Sequence, residues 1–278
     1  MRTTSGLINI DFSERQLWSR ILSEADQASA EEPFLRPIIA DCITQSADLA
    51  TAIIRRISSV LSPPQPASPL HTALQVQLDQ DPRILAAAGF DLAAVLERDP
   101  ATTRALHVFL HAKGFLAIQT HRFAHSLWNT GRREFALYLQ GCVSRLLQVD
   151  IHPAARLGVG IFFDHATGIV IGETSIIDDD VSILQNVTLG GTGKQTGDRH
   201  PKIRTGVLIG AGATILGNIE IGANARIGAG SVVLKPVAPG TTVAGVPARV
   251  LGQNRFFEPS RTMDQLFDEG QPLYDVGL

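Results

Sequence analysis

The sequence predicts an α+β chain: an α-helical domain over residues 1–146, then a parallel β-helix of six-residue repeats over residues 147–253. Three observations predict it. Apolar residues recur at helical spacing in the first part and every six residues in the second, and glycine keeps a fixed phase behind the repeated aliphatic. The remaining residues, 254–278, are rich in acidic and turn residues and read as a flexible tail.

Ser13 reads as the N-cap of a first helix reaching Ala28, and a second helical stretch runs from about Pro33 to Val60. Ser62-Pro63-Pro64-Gln65-Pro66 ends it, because proline lacks the amide donor and clashes with the preceding turn. Asp81-Pro82 and Asp99-Pro100 each read as a capping carboxylate followed by proline at the first helical position. Two or three helices follow between about Pro100 and Gln148, punctuated by Gly114 and by a stop at Asn129-Thr130-Gly131.

From Asp150, cutting every six residues gives Ile151, Leu157, Phe163, Ile169, Ser175, Val181 and Val187, then Ile203, Ile209, Ile215, Ile221, Ile227 and Val233. Twelve of these thirteen are apolar in a chain that is 44% hydrophobic, which a fixed frame reaches by chance roughly once in two thousand. A period of six fits neither a helix nor a half-buried strand. It fits a triangular coil whose three short sides each carry one inward aliphatic, with small residues at the corners. Four to five such coils are expected, each buried only against its neighbours. Val187 to Ile203 spans one repeat plus ten extra residues, a polar, glycine-rich loop within 191–202.

The net charge of -3 gives no footprint for nucleic acid or an anionic membrane. Cys42 and Cys142 form no metal-ligand pair and read as free thiols of a reducing compartment. Met1 to Gln16 lacks a signal peptide's apolar core, and no apolar run approaches the roughly 18–20 residues that span a bilayer. A cytoplasmic protein is expected.

Asp150-Ile-His-Pro153, Asp164-His-Ala-Thr-Gly168 and Asp198-Arg-His-Pro-Lys202 concentrate ionisable groups in the repeats. Asp150 and His165 are close to one coil apart and can lie on adjacent coils. An imidazole oriented by a carboxylate is a general base able to take a proton from an attacking alcohol. No G-x-S-x-G elbow is present, so direct transfer is expected over a covalent acyl-enzyme. His152 reads as a turn residue beside Pro153. Gly191-Thr-Gly-Lys194 fails the P-loop pattern at Thr188 and Gln195. His107, His111, His121 and His125 fall at helical spacing and read as polar surface, with no metal expected. A zinc lyase on the same scaffold would need a close histidine pair in the repeats, which His152, His165 and His200 do not supply.

The strings DIHPAARLG, DHATGIVIGET, VSILQNVTLGGTGKQTGDRHPKI, IGAGATILGNIEIGANARIGAGSVVL and AGVPAR resemble serine O-acetyltransferases of the left-handed β-helix hexapeptide acyltransferase superfamily. RDPAT, KGF and HRFAHSLWNTGRR extend the likeness into the helical part. The resemblance implies the left hand of the coil and transfer of acetyl from acetyl-CoA to the L-serine hydroxyl. It implies His165 as base and Asp150 as its orienting partner. Asp99 and Asp164 would hold the serine ammonium, and Arg199 and His200 its carboxylate. Gly191, Thr192, Ala211, Ala229 and Lys235 would line the coenzyme A groove between neighbouring subunits of a homotrimer or a dimer of trimers. It implies inhibition by cysteine at the serine site, and a complex with O-acetylserine sulfhydrylase through the C-terminus, where this chain has Leu278 and the family often isoleucine. Another hydroxyl acceptor, such as homoserine or a sugar, is the alternative within the same chemistry.

Overall fold

The helices come first along the chain, and a three-sided β-helix follows the last of them. The computed structural model describes residues 14–62, 69–193, 196–254 and 258–266. Helix α1 spans Glu14–Glu31, and the expected cap Ser13 lies outside the described residues. The stretch expected as one helix from Pro33 is broken instead. A 3-10 turn at Pro33–Leu35, a short α2 (Arg36–Ile39) and a π turn at Ala40–Thr44 precede α3 (Leu49–Leu61). Asp48 restarts the helix there, its carboxylate accepting from Thr51 N.

Helix α4 (Pro69–Gln80) leads to Asp81, which caps only a 3-10 turn at Pro82–Leu85. Asp99 departs from its expected role as an N-cap. It is the C-cap of α5 (Ala88–Arg98), and its side chain closes the following turn onto Ala101 N and Thr102 Oγ1. Aspartate suits both positions because its short carboxylate bonds nearby backbone amides. Three helices then follow: α6 (Ala105–His111), α7 (Lys113–Asn129) and α8 (Arg133–Leu147). Ala112 separates α6 from α7, so the four histidines do not share one helix face. His121 is not surface either: it is buried, with Nε2 at 3.1 Å from Ala155 O.

Face A of the β-helix stacks β1 (Val149–Ile151), β4 (Ile169–Ile171), β7 (Thr188–Gly190), β10 (Thr214–Leu216) and β13 (Val232–Val233). Face B stacks β2 (Arg156–Leu157), β5 (Ile176–Ile177), β8 (Lys202–Ile203) and β11 (Glu220–Ile221). Face C stacks β3 (Phe162–Phe163), β6 (Ser182–Ile183), β9 (Leu208–Ile209), β12 (Arg226–Ile227) and β14 (Thr241–Gly245). All these pairings are parallel. The last strand, β15 (Ala248–Gln253), instead turns back antiparallel along β14. About five coils result, matching a left-handed β-helix.

The register corrects the expected frame. Ile151 pairs with Ile171, twenty residues on, and Ile171 with Leu189, eighteen on. Leu189 pairs with Ile215, twenty-six on, and Ile215 with Val233, eighteen on. Up to Val233 an eighteen-residue coil is therefore interrupted twice, by two extra residues near 164–168 and by eight in the loop after β7, not once by ten. The stacked positions of the second coil are Ile171, Ile177 and Ile183, and Leu189 opens the third. The expected Ile169, Ser175, Val181 and Val187 are buried as well, two residues earlier on each side.

One apolar core runs without a break from the helices into the coils. Gly114 shows how close the two parts approach: a Cβ there would overlap the Phe163 carbonyl of β3. Asp91 reinforces the seam. Fully buried, it accepts from Arg122 Nη2 at 2.6 Å, Gln119 Nε2 at 2.9 Å and Ile161 N at 3.0 Å. Within the segment expected to be a flexible tail, helix α9 (Pro259–Thr262) packs against the protein, with Pro259 and Ser260 buried. Among the described residues no helix is long and apolar enough to cross a membrane.

Candidate functional site

Two edges of the prism carry the candidate residues, and face A lies between them. The first edge joins face C to face A, where the two-residue insertion sits. His165 and Ala166 take φ of +54° and +60°, and Gly168 takes +77°. Left-handed backbone at a non-glycine residue costs about 1–3 kcal/mol and persists only when its surroundings enforce it. Here Asp164 N bonds Ile183 O at 2.9 Å, Gly168 N bonds Gln148 O at 2.8 Å, and Lys113 donates to the Thr167 hydroxyl. The turn throws the His165 side chain outward, 75% exposed, with Nε2 3.8 Å from Asp164 Oδ1. Burial raises the Asp164 carboxyl above its ordinary value; His165 pulls it back and the charge of Asp99 pushes it up. Asp99, Asp164 and His165 thus share one electrostatic site.

The second edge joins face A to face B and carries the eight-residue insertion. His200 is buried here, and Thr174 anchors it. The backbone amides of Arg199 and His200 both donate to Thr174 Oγ1 at 3.0 Å. Thr174 N donates to His200 Nδ1 at 3.2 Å, so Nε2 carries the hydrogen of the neutral ring. Burial first, then the Arg199 charge, lowers the His200 pKa. Gly172 is required at this edge, because a Cβ would overlap the His200 ring. Arg199 Nη2 pairs with Glu173 Oε2 at 2.8 Å, holding that carboxyl below its usual range. Lys202 Nζ ties the loop down through Asp198 Oδ1 at 2.6 Å, His200 O at 2.7 Å and Thr174 O at 2.8 Å.

Asp150 lies on face A, where its Oδ1 accepts from Gln140 Nε2 at 2.7 Å. Among the described residues no hydrogen bond or ion pair joins it to His165. Its charge is felt by His152, together with those of Glu173 and Arg199, which places Asp150 towards the second edge. His152 closes its own turn, Nδ1 accepting from Ala154 N at 3.1 Å, and packs edge-on against Trp128.

The residues expected to line a coenzyme groove divide in the same way. Ala211 and Ala229 stack one coil apart above the first edge, where Gly230 N bonds Ala211 O at 2.8 Å. Gly191 and Thr192 follow β7 on the second edge, and Lys235 follows β13 there, exposed. Thr192 lines a cleft of about 480 Å³ with Asp198, Leu216, Asn218 and Leu234. Among the described residues no group of three or more His, Cys, Asp or Glu is arranged to hold a metal ion.

Sequence reasoning missed Gly172, Glu173 and Thr174, and it named Lys202 within its motif without giving it a role. Thr174 and His200 are twenty-six residues apart, one coil plus the insertion, so the correct register would have paired them.

Residues 17–120 match the family model for the serine acetyltransferase N-terminal region, and residues 200–235 match the six-repeat bacterial transferase hexapeptide model. Serine acetyltransferase of Salmonella typhimurium is 50% identical over 262 residues, covering 94% of this chain and 96% of the relative. The crystal structure of serine acetyltransferase from Vibrio cholerae aligns at 49% identity and a TM-score of 0.89, covering 92% of this chain and 99% of that one. The Brucella abortus serine acetyltransferase in complex with coenzyme A aligns at 49% identity and a TM-score of 0.84, covering 88% and 98%. With half its residues identical over nearly its whole length, and with the helical part and the coils both matched, the chain belongs to the serine acetyltransferase family.

Proposed function

We propose that the protein transfers acetyl from acetyl-CoA to the hydroxyl of L-serine, giving O-acetyl-L-serine and coenzyme A, the first step of cysteine biosynthesis. One observation carries the reading: a chain of this family bears an acidic pair with an imidazole on one edge and a basic, imidazole-bearing loop on the other. Serine carries both charges that these half-sites complement. Asp99 and Asp164 take the ammonium; Arg199 and the Nε2–H of His200 take the carboxylate.

His165 then removes the hydroxyl proton as serine Oγ attacks the thioester carbonyl carbon. The tetrahedral oxyanion collapses, the C–S bond breaks, and the leaving thiolate takes the proton back from the imidazolium. No covalent acyl-enzyme is needed. Because face A separates the edges, the site is complete only when the first edge of one subunit meets the second edge of its neighbour. A homotrimer does this three times, and the helices pair trimers into hexamers. Asp150 orients His165 across that contact. Gly191, Thr192 and Lys235 of one subunit, with Ala211 and Ala229 of the next, line the coenzyme groove. The protein is cytoplasmic, and its C-terminus, ending at Leu278 outside the described residues, docks O-acetylserine sulfhydrylase.

Thiol release from acetyl-CoA with L-serine, L-homoserine, a galactoside and an aminoglycoside tests the acceptor. L-serine alone is expected to support it, and another acceptor alone would sink the serine assignment. Refolding His165→Asn and Arg199→Ala chains together tests the shared site. An equal, randomly assembled mixture should recover about a quarter of wild-type activity from the intact pairings, and no recovery would place each site within one chain.

A further inference from the structure

Two buried charged residues, seven apart on one face of α5, fasten that helix to a single corner of the β-helix. Asp91 reaches Ile161 N, and Arg98 Nη1 donates to the adjacent Gly160 O at 3.0 Å. Arg98 also donates to Ser182 Oγ at 3.2 Å and, through Nη2, to Asp180 Oδ1 at 2.7 Å. Its side chain is 1% exposed. A guanidinium this deep is tolerated only where its charge is paired and most of its donors are used. The next residue is Asp99. Among the described residues, the Asp99 carboxylate bonds only within its own turn, to Ala101 N and Thr102 Oγ1. Its placement opposite Asp164 therefore depends on what joins the end of α5 to the coils, and Arg98 is that joint.

The C-terminal segment closes over the joint from outside. Ser182 Oγ, which accepts from Arg98, donates to Ser260 O at 2.8 Å. Arg261 Nη1 grips both carboxylate oxygens of Glu97, at 2.7 and 2.9 Å, and Nη2 lies 3.4 Å from Asp180 Oδ1. Arg226 Nη1 fixes the far end, at 3.1 Å from Asp264 O and 2.9 Å from Leu266 O. Asp180 is thus shared between a buried arginine on α5 and a partly exposed one on α9.

We propose that Arg98 is a positioning residue for the serine ammonium site and that Arg261 acts with it, so that the C-terminal segment sets serine affinity without touching substrate. This rests on the reading that Asp99 and Asp164 hold the ammonium. A joint that only stabilised the fold would lower the melting temperature and disturb both substrates alike. A positioning joint raises the serine KM and leaves the acetyl-CoA KM in place.

The full-length protein carrying Glu97→Gln, Arg261→Gln, both together, Arg98→Lys or Asp99→Asn tests this through both KM values, kcat and the melting temperature. Glu97→Gln and Arg261→Gln should each raise the serine KM several-fold, with the acetyl-CoA KM within about twofold. The double variant should add little to the larger single effect, because both remove one pair. Arg98→Lys keeps the charge but loses the fork, and should raise the serine KM roughly tenfold or more. Should Arg98→Lys fail to fold, the two partly exposed variants still decide. An unchanged serine KM in both, or an equal rise in both KM values, overturns the proposal. An unchanged serine KM in Asp99→Asn overturns the ammonium reading, and the positioning role falls with it.

Discussion

At one edge of the prism His165 stands exposed on backbone wound into the left-handed region; at the other, His200 is buried and fixed by side-chain hydrogen bonds. The first edge presents its imidazole chiefly by backbone geometry, with two extra residues forcing the side chain off the coil. The second uses eight extra residues and then ties them down through Thr174, Glu173 and Lys202. On the proposed reading, a base that meets its substrate between subunits gains from projection, whereas a clamp gains from rigidity. The same solenoid supplies both because an insertion at a corner leaves the stacked aliphatics of the next coil in place.

This contrast predicts which substitutions separate activity from stability. The largest effect is expected from His165→Asn, since asparagine tolerates the left-handed turn while abolishing the base. Steady-state assays should show kcat down about 10²–10⁴-fold, with stability by denaturant titration within about 0.5 kcal/mol. A matching loss of stability would mean that His165 is as embedded as His200. Gly172→Ala comes next. Its methyl displaces the His200 ring, so the serine KM should rise at least about tenfold with about 1–3 kcal/mol of stability lost. Thr174→Val removes the shared acceptor of two loop amides. About 1–3 kcal/mol should be lost, and hydrogen exchange should quicken at residues 196–201 but not at 164–168; uniform quickening would break the contrast.

The smallest effect is on pH dependence. The His200 pKa is lowered on folding, so the unfolded chain binds the proton first as pH falls through the ordinary histidine value of about 6.5. Its contribution to stability is full above that value and is lost towards the lower, folded one. His121, pushed down to about 3 by burial, acts with the same sign over a wider window. Melting curves of His200→Gln should therefore show a shallower acid decline than the parent.

The coils were legible because eighteen-residue stacking repeats one aliphatic per side over more than eighty residues. The position of the first insertion was not. Two positions on each side face inward, as Val181 with Ile183 and Val187 with Leu189 show, all of them buried. A frame shifted by two therefore stays apolar, and the hydrophobic pattern alone cannot detect the slip. His165 stood out by its carboxylate neighbours, yet its strained backbone left no mark on composition. Thr174 carried no signal, being an ordinary turn residue until the register brings His200 above it. His121 was misread because α7 is buried on nearly every side from Gly114 to Leu127, which erases the polar stripe that marks a surface histidine.

The reversal of β15 against β14 bears on solubility. A parallel coil ends as it began, with a row of unpaired amides and carbonyls that could template another copy of itself. On face C that row is occupied by a strand of opposite direction, so a second solenoid finds no parallel ladder to extend there. At the other end, α8 runs directly into β1 and the helices cover the first coil. On face C and at the helical end, further stacking of the repeat is blocked by the two elements that break its symmetry.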